Sequence, residues 1–333
     1  MNMVNWLKSA AALNKPMPIL SFPGTQLTGI TVSELVNNGR LQAECMKAVI
    51  NRWDMLASVS LMDLSVEAEA FGSPVIFSDV ETPTVSSAIV KTNDDLVNLK
   101  IPVVGDGRTG IYVEAIKEAK KLISDRPVFA GIIGPYSLSG RLVDLTEIMM
   151  LCYDEPEMVH GVLEKATLFL IQYANTMKNA GADGIIMAEP AAGMLSPALI
   201  GEFSTPYVKK IIDAVETDEC IFIYHNCGNS TLTLTNEILD TGAKAFHFGN
   251  AVDISKMLEL IPSDKPVFGN VDPAGQFRSG TPESVREATL DVLEKCGNAP
   301  NFILSSGCDI PPASPIENID AFFAAAEEYY ALQ

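Results

Sequence analysis

The sequence predicts an α/β fold: one (β/α)8 barrel of the TIM type with an elaborated N-terminal region, formed by residues 1–333 as a single domain. Two observations lead to this prediction. Short apolar runs alternate with longer helical patterns through most of the chain, which is typical of a parallel sheet. About eight such runs in a chain of this length favour a closed barrel over an open doubly wound sheet.

The strands are predicted at eight apolar runs: Pro18–Phe22, Ala57–Leu61, Val128–Ile133, Gly184–Ala188, Cys220–Tyr224, Ala243–Phe246, Pro266–Gly269 and Phe302–Ser305. The clearest helical patterns lie between and after them: Val113–Ser124, Pro156–Asn179, Pro197–Val215, Pro282–Lys295 and Pro315–Tyr330. Before residue 125 the pattern is less regular. Pro83–Ser87 and Ile101–Arg108 are predicted as loops in that region.

Three helix starts carry a capping hydroxyl before a first-turn proline: Ser196-Pro197, Thr281-Pro282 and Ser314-Pro315. A hydroxyl at this position accepts a hydrogen bond from a free backbone N–H of the first turn, and proline fits there because its missing N–H is not needed. Ser314 with Glu317 three residues later also matches a capping box.

The net charge of −19 predicts a surface that repels phosphate backbones and anionic lipid, so neither a nucleic acid nor a membrane is expected as a partner. No apolar run reaches the ~18 residues needed to span a bilayer. The first residues lack the basic and apolar regions of a signal peptide. Six cysteines without an export signal are expected to be reduced, which predicts a cytoplasmic protein.

Polar or thiol side chains follow six of the predicted strands, and this is where a barrel forms its catalytic mouth. They are Asp63, Glu189, His225 with Cys227, His247, Asn270 with Asp272, and Cys308. One such residue is readily explained as a turn former or a helix cap. Six strands with the same feature favour a functional site.

One imidazole and two thiols, from His225, Cys227 and Cys308, form a ligand set that suits Zn²⁺ with a fourth position open. His-x-Cys alone is a weak motif, because this spacing often arises by chance; Cys308 at the equivalent place after another strand strengthens it. Gly228 and Gly307 are expected to let the backbone turn sharply beside the ligands. Two thiolates cancel the charge of Zn²⁺, so the site suits binding of an incoming thiol as its thiolate, and the expected reaction is attack of that thiolate on an alkyl group.

Several longer motifs run from about residue 54 to the C-terminal end: Met62–Gly72, Gly181-Ala182-Asp183 leading to Glu189-Pro190, Leu195-Ser196-Pro197 leading to Pro206-Tyr207, His225–Gly228, Gly269–Pro273 and Gly307–Pro312. Together they resemble the uroporphyrinogen decarboxylase superfamily, and within it the zinc-dependent corrinoid methyltransferases. The resemblance implies a (β/α)8 barrel with zinc on His225, Cys227 and Cys308. It also implies a corrinoid (methylcobalamin) carried by a partner protein, and a small thiol or methyl donor as substrate, with the direction of transfer open.

The decarboxylase branch is the alternative, and it fits less well. The resemblance implies that decarboxylases hold a porphyrinogen through basic residues near the N-terminus, where this chain reads Ser21–Thr25, and that they carry Gly-His in place of Gly307-Cys308. Asp63 matches the catalytic Asp of the decarboxylases. In a methyltransferase it is expected to orient the substrate, or else it caps the helix at Ser65. A structural zinc site closed by four protein ligands is a third possibility.

The fourth zinc position is left open by the resemblance. The methyltransferases can fill it with a Glu beyond the His-x-Cys strand, where this chain reads His247–Asn250 without a Glu. Water, Glu189 and His247 are the candidates. His247 is favoured, as a ligand or as a hydrogen-bonding neighbour of the ligands and the substrate, against a histidine that only bonds to backbone.

Overall fold

A computed structural model describes residues 1–332, and its central feature is a parallel sheet of seven strands. The strands in chain order are β1 (Ser58–Val59), β2 (Val75–Ile76), β3 (Thr84–Val85), β4 (Val128–Ile133), β5 (Gly184–Ala188), β6 (Ile221–Asn226), β7 (Ala245–Phe248), β8 (Val267–Val271) and β9 (Phe302–Ser306). The sheet order is β1-β4-β5-β6-β7-β8-β9, and β2 pairs with β3 as a separate antiparallel hairpin. Of these two strands, β3 lies within Pro83–Ser87, which is predicted as loop. The parallel α/β prediction is confirmed.

Sixteen α-helices surround this sheet within residues 1–332. They are α1 (Met3–Ala10), α2 (Gly24–Thr28), α3 (Val32–Val36), α4 (Gly39–Arg52), α5 (Val66–Ala70), α6 (Asn93–Asn98), α7 (Thr109–Leu122), α8 (Pro135–Val143), α9 (Leu145–Asp154), α10 (Pro156–Asn179), α11 (Pro197–Phe203), α12 (Thr205–Val215), α13 (Thr235–Leu239), α14 (Ile254–Leu260), α15 (Pro282–Cys296) and α16 (Ile316–Ala331). Across the described part of the chain, no helix has both the length and the apolar character to cross a bilayer.

The predicted helix starts are right in two cases and wrong in one. Ser196 and Thr281 accept hydrogen bonds from the first turns of α11 and α15. The predicted capping box at Ser314 is wrong, because Pro315 stands at the cap of α16 and the buried Ser314 hydroxyl has no partner among the described residues. The predicted helix Pro197–Val215 is two helices that meet at Ser204.

The first of the eight predicted strands, Pro18–Phe22, is not a strand in the structure. The chain just before it nevertheless bonds toward both edges of the sheet. Pro16 O accepts from Leu56 N at 2.9 Å ahead of β1, and Met17 N donates to Leu304 O of β9 at 2.9 Å. The predicted strand begins with a proline, which has no N–H to donate, so a regular ladder does not continue there.

The sheet is buried on both faces, as is usual for parallel strands. Successive side chains point to opposite faces, and the two members of each neighbouring pair enter different apolar clusters: Ile185 and Ile186, Phe222 and Ile223, Phe246 and Ala245, Val267 and Phe268, Leu304 and Ile303. The second member of each pair shares its cluster with Met3 and Leu7 of α1. The first members pack in the larger cluster with the surrounding helices.

Strands β6, β7 and β8 each end two residues later than predicted. His225 and His247 therefore lie inside strands rather than after them, and the parallel register pairs residue 225 with residue 247. The apolar pattern stops before these residues, but their backbone continues the ladder. This extension brings the two imidazoles side by side.

Candidate metal centre

His225, Cys227 and Cys308 converge at the carboxyl end of the parallel sheet. His225 belongs to β6, Cys227 is the first residue after that strand, and Cys308 lies two residues beyond β9. Their ligand atoms all lie within 4.8 Å of one another, and Sγ of Cys308 is 3.6 Å from Nε2 of His225. The imidazole is buried while both thiols are partly exposed. One nitrogen and two sulfurs at this separation fit a zinc ion that remains accessible to a further ligand.

The two thiols share a hydrogen bond that makes them chemically unequal. This bond lowers the pKa of Cys227. The same bond, together with burial, raises the pKa of Cys308 to about 12. The pair therefore releases its first proton from Cys227. A metal ion bound by both sulfurs would also displace the second proton, because thiols bind metals as thiolates.

A buried chain of hydrogen bonds fixes the tautomer of His225. The Ser305 hydroxyl donates to the carbonyl of Met17 at 2.7 Å, because a carbonyl only accepts. Ser305 Oγ therefore accepts from Nε2 of His247 at 2.9 Å, which leaves Nδ1 of His247 as an acceptor. Nδ1 of His225, 2.8 Å away, must then be the donor. Its Nε2 is left with a free lone pair on the side of Cys308, as a metal ligand requires.

His247 thus contacts the imidazole of His225 and neither of the two thiols. Both of its ring nitrogens are engaged, one with His225 and one with Ser305. Burial, followed by the neighbouring His225, holds the pKa of His247 well below its ordinary value, so the ring is neutral. A neutral ring with one donor and one acceptor is what the hydrogen-bond chain requires. The geometry supports an orienting role for His247.

Glu189 lies immediately after β5 and is fully buried. Its carboxylate accepts hydrogen bonds from the backbone N–H groups of Tyr136, at 2.9 Å, and Ser137, at 2.5 Å. These donors belong to the first turn of α8, where N–H groups lack partners within the helix. Burial raises the pKa of Glu189 to about 7, against the lowering effect of these hydrogen bonds. The structure therefore places this carboxyl group on a helix end, and not among the three ligand atoms.

Asp63 is the centre of a buried ion network. Its carboxylate accepts from Arg108 Nη1 at 2.5 Å and from the Tyr112 hydroxyl at 2.7 Å. It also accepts from the backbone N–H and the hydroxyl of Ser65, at 3.0 and 2.6 Å. A carboxylate offers about four lone-pair positions, so these four donors occupy its accepting capacity. Sequence reasoning missed Arg108, which sits at the end of a predicted loop.

The glycines beside the ligands are needed for close packing. The φ angles of Gly228 and Gly307 lie outside the left-handed region, so the expectation of sharp glycine turns is wrong. A Cβ on Gly228 would lie 2.5 Å from the Cα of Gly193. A Cβ on Gly249 would lie 2.4 Å from the Cβ of Cys227. Position 249, within the stretch that lacks the expected Glu, therefore has no room for any side chain.

A cavity of about 520 Å³ opens beside Cys227, a volume within the usual range for small-molecule sites. Its lining combines hydroxyl, amide and apolar groups with one arginine and one aspartate: Val85, Ser86, Ser87, Ala88, Ser137, Gly140, Arg141, Asp144, Leu145, Pro190, Ala191, Met194, Cys227, Gly228 and Asn229. Sequence reasoning also missed Arg141, since nothing near it marks a motif. The cavity places a candidate metal ligand within reach of a small substrate.

Comparisons with known proteins place the chain in a family. The family described as uroporphyrinogen decarboxylase (URO-D) matches residues 17–329. Methylcobamide:CoM methyltransferase MtbA from Methanosarcina acetivorans is 31% identical over 272 residues, which cover 80% of this chain and 78% of that protein. A uroporphyrinogen decarboxylase from Coxiella burnetii is 25% identical over 303 residues, covering 87% and 81%. A solved structure of a methyltransferase from Methanosarcina mazei is 25% identical and matches with a TM-score of 0.86 over 99% of both chains. The chain belongs to the uroporphyrinogen decarboxylase family, and its similarities within that family support a methyltransferase.

Proposed function

We propose that this protein transfers a methyl group between a corrinoid bound to a partner protein and a small thiol or other small methyl acceptor or donor. We further propose zinc, held by His225, Cys227 and Cys308, as its cofactor. The proposal rests on the convergence of one imidazole nitrogen and two thiol sulfurs to within 4.8 Å, beside a cavity of small-molecule size. The name of the MtbA relative, a methylcobamide:CoM methyltransferase, supports the corrinoid and thiol parts of the proposal.

The residues present fit a zinc ion in three respects. The hydrogen-bond chain leaves Nε2 of His225 unprotonated, the two sulfurs lie within bonding reach of a shared ion, and Cys227 lines the cavity. Bound zinc would hold an incoming thiol in its nucleophilic thiolate form. The chain contributes orientation: Ser305 and His247 fix the ring of His225, and the cavity aligns the substrate beside the ligands.

The decarboxylase alternative is not favoured. Asp63 matches the catalytic Asp of that branch, but Arg108, Tyr112 and Ser65 already supply four donors to its carboxylate. A carboxylate saturated in this way has no remaining lone pair with which to bind a substrate directly. A substrate-orienting role for Asp63 would have to pass through Arg108 or Tyr112.

A closed structural zinc site also receives little support. Structural sites are held by four protein ligands, whereas the cluster found among residues 1–332 has three. Glu189 is occupied by the first turn of α8, and His247 by His225 and Ser305. The fourth position is proposed to be open to water or to the substrate thiol.

The partner and the location are part of the same proposal. A corrinoid protein would approach the cavity mouth, where Leu145 and Met194 expose apolar side chains. All six cysteines are free thiols, which suits a reducing cytoplasm.

Metal analysis followed by a methylcobalamin assay tests the proposal. About one zinc per chain is expected in the wild type and in a Cys220→Ala control, which alters a buried thiol just before β6. Cys227→Ala and Cys308→Ala are expected to lose the zinc. Incubation with methylcobalamin and a thiol panel should then give cob(I)alamin and the methylated thiol with the wild type and with Cys220→Ala, but not with Cys227→Ala or Cys308→Ala. Full zinc retention in Cys308→Ala, or decarboxylation of uroporphyrinogen, would overturn the proposal.

A further inference from the structure

We infer that Cys227 and Cys308 are a modification site, at which a peroxide converts the two thiols into an intramolecular disulfide that a small thiol can reduce again. The disulfide would remove two of the three candidate metal ligands and so switch the site off. The release of a metal ion rests on the proposed function, whereas the formation of the disulfide does not. Both sulfurs are partly exposed, and they already lie close together.

The sulfurs of Cys227 and Cys308 lie within 4.8 Å of each other and share a hydrogen bond. A disulfide bond is about 2 Å long, so each sulfur has to move by no more than roughly 1.4 Å to form it. Cys227 is the first residue after β6, and Cys308 lies two residues beyond β9. Since both cysteines lie outside the strands, a rotation of the side chains with a small shift of these two connections closes the bond without breaking the ladder of the sheet.

A glycine allows the two connections to meet. In the sheet, β7 and β8 lie between β6 and β9, so the two cysteines do not come from neighbouring strands. A Cβ on Gly249, just after β7, would lie 2.4 Å from the Cβ of Cys227 and 3.3 Å from the carbonyl oxygen of Gly307, the residue before Cys308. The approach of the two thiols is therefore fixed by close packing of the backbone and does not depend on the rotamer of one side chain.

The pair is also the part of the cysteine set that an oxidant can reach. Cys227 lines the cavity of about 520 Å³, and Cys308 is partly exposed. The other four cysteines are buried: Cys45, Cys152, Cys220 and Cys296. Oxidation of cysteine is selective for exposed thiols, particularly those with a second cysteine nearby to complete a disulfide. A peroxide that enters the cavity is therefore expected to select Cys227 and Cys308.

The reaction balances with hydrogen peroxide as the oxidant. One oxygen atom passes from the peroxide to the sulfur of Cys227, which gives a sulfenic acid and one water molecule. The sulfur of Cys308 then attacks that sulfur, the S–O bond breaks, and the hydroxyl group leaves with the thiol proton as a second water molecule. Two thiols are oxidised and one peroxide is reduced. Two molecules of a small thiol reverse the change by thiol–disulfide exchange and leave as their own disulfide.

Metal-free, reduced protein treated with equimolar hydrogen peroxide tests the disulfide. The wild type and a Cys220→Ala control are each expected to lose two free thiols, and peptide mapping should show Cys227 joined to Cys308. Because the bond closes a loop of about 80 residues, the oxidised chain should migrate faster than the reduced chain on a denaturing gel. Cys308→Ala should form no such bond, and dimedone should instead trap a sulfenic acid at Cys227. Dithiothreitol should restore all six thiols of the wild type.

The same treatment of zinc-loaded protein tests the consequence for the metal. Formation of the disulfide should release the bound zinc to a chelating dye, because a disulfide sulfur no longer offers the thiolate that zinc requires. Reduction with dithiothreitol followed by added zinc should restore the metal content. Zinc that stays bound after the disulfide has formed would overturn the switch.

The outcomes separate this inference from the proposed function. If the wild type keeps all six thiols, if mapping joins a different pair of cysteines, or if the two sulfurs become sulfinic acids without a bond, the inference is overturned and the zinc proposal stands. A loss of two thiols in Cys308→Ala would also overturn it. If the disulfide forms in a protein that binds no zinc when reduced, the modification site is supported and the zinc proposal is overturned.

Discussion

Nδ1 of His225 and Nδ1 of His247 lie 2.8 Å apart, on neighbouring strands whose register pairs the two residues. Two nitrogens of the same kind share one proton, so one ring must donate and the other accept. The Ser305 hydroxyl settles the direction, because it must donate to the Met17 carbonyl and therefore accepts from His247. The Met17 carbonyl therefore determines, through Ser305 and His247, which nitrogen of His225 keeps a free lone pair.

His247→Ala is expected to weaken zinc binding by about 10- to 100-fold, as is typical when the hydrogen-bond partner of a metal-binding histidine is removed. The deficit should be the same with and without thiol, because the thiol does not replace a hydrogen bond to His225. Competition with a chelating dye measures both affinities. His160→Ala is the control, since that imidazole contacts Tyr207 instead.

A different pattern would make His247 a ligand. Weaker zinc binding without thiol, largely restored once the thiol is added, is what a displaced resting ligand would give. Unchanged zinc affinity together with unchanged methyl transfer would remove His247 from the site.

Glu189→Gln is expected to leave the zinc content unchanged and to lower the free energy of unfolding. The amide keeps one acceptor but turns an NH₂ group toward one of the two backbone N–H donors, Tyr136 or Ser137. One buried donor left without an acceptor costs about 1–3 kcal/mol. Urea unfolding and metal analysis on the same preparation measure both quantities. Lost zinc with unchanged stability would instead identify Glu189 as a ligand.

Arg108→Met is expected to destabilise the protein by about 3–5 kcal/mol, because it leaves the buried Asp63 without its cation. Glu69 loses its partner in the same change. The double variant Asp63→Asn with Arg108→Met should recover part of the loss. Arg286→Met breaks an exposed pair with Glu328 and should cost no more than about 1 kcal/mol. Equal losses of stability in Arg108→Met and Arg286→Met would show that the buried network around Asp63 stabilises the protein no more than an exposed ion pair does.

The parts of the site that the sequence predicts are those that depend on strand ends. His225, Cys227 and Cys308 could be grouped in advance because parallel strands bring their carboxyl ends to one edge of the sheet. The strand ends themselves were predicted two residues short, because apolar patterning ends at Tyr224 and Phe246 while the backbone ladder continues.

The parts that the sequence does not predict depend on contacts between distant, unremarkable positions. Arg108 meets Asp63 across 45 residues, from a segment predicted as loop. Arg141 carries no motif, and only the position of α8 in the fold brings it to the cavity beside Cys227. The segment Pro18–Phe22 is apolar like a strand, yet its leading proline interrupts the ladder that periodicity predicts.

Glu67 is buried at the start of α5. One carboxyl oxygen accepts from the backbone N–H of Ile133 at 3.0 Å, and the other has no partner among the described residues. Burial raises the pKa of this group from 4.5 to about 7. The folded protein therefore keeps the proton up to about pH 7, whereas the unfolded chain releases it near 4.5. Because the folded state binds more protons in that interval, its stability falls as the pH rises through it.

Glu67→Gln removes this titration and should therefore reduce the dependence of the unfolding free energy on pH. The variant is expected to gain stability relative to the wild type as the pH rises from 4.5 to about 7, by on the order of 3 kcal/mol. Above pH 7 the difference should stay constant, since both states are then ionised in the wild type. Unfolding free energies from urea titrations at a series of pH values test this, with Glu327→Gln as a control at an exposed carboxylate. Parallel curves for wild type and Glu67→Gln would mean that Glu67 is ionised in the folded protein throughout this range.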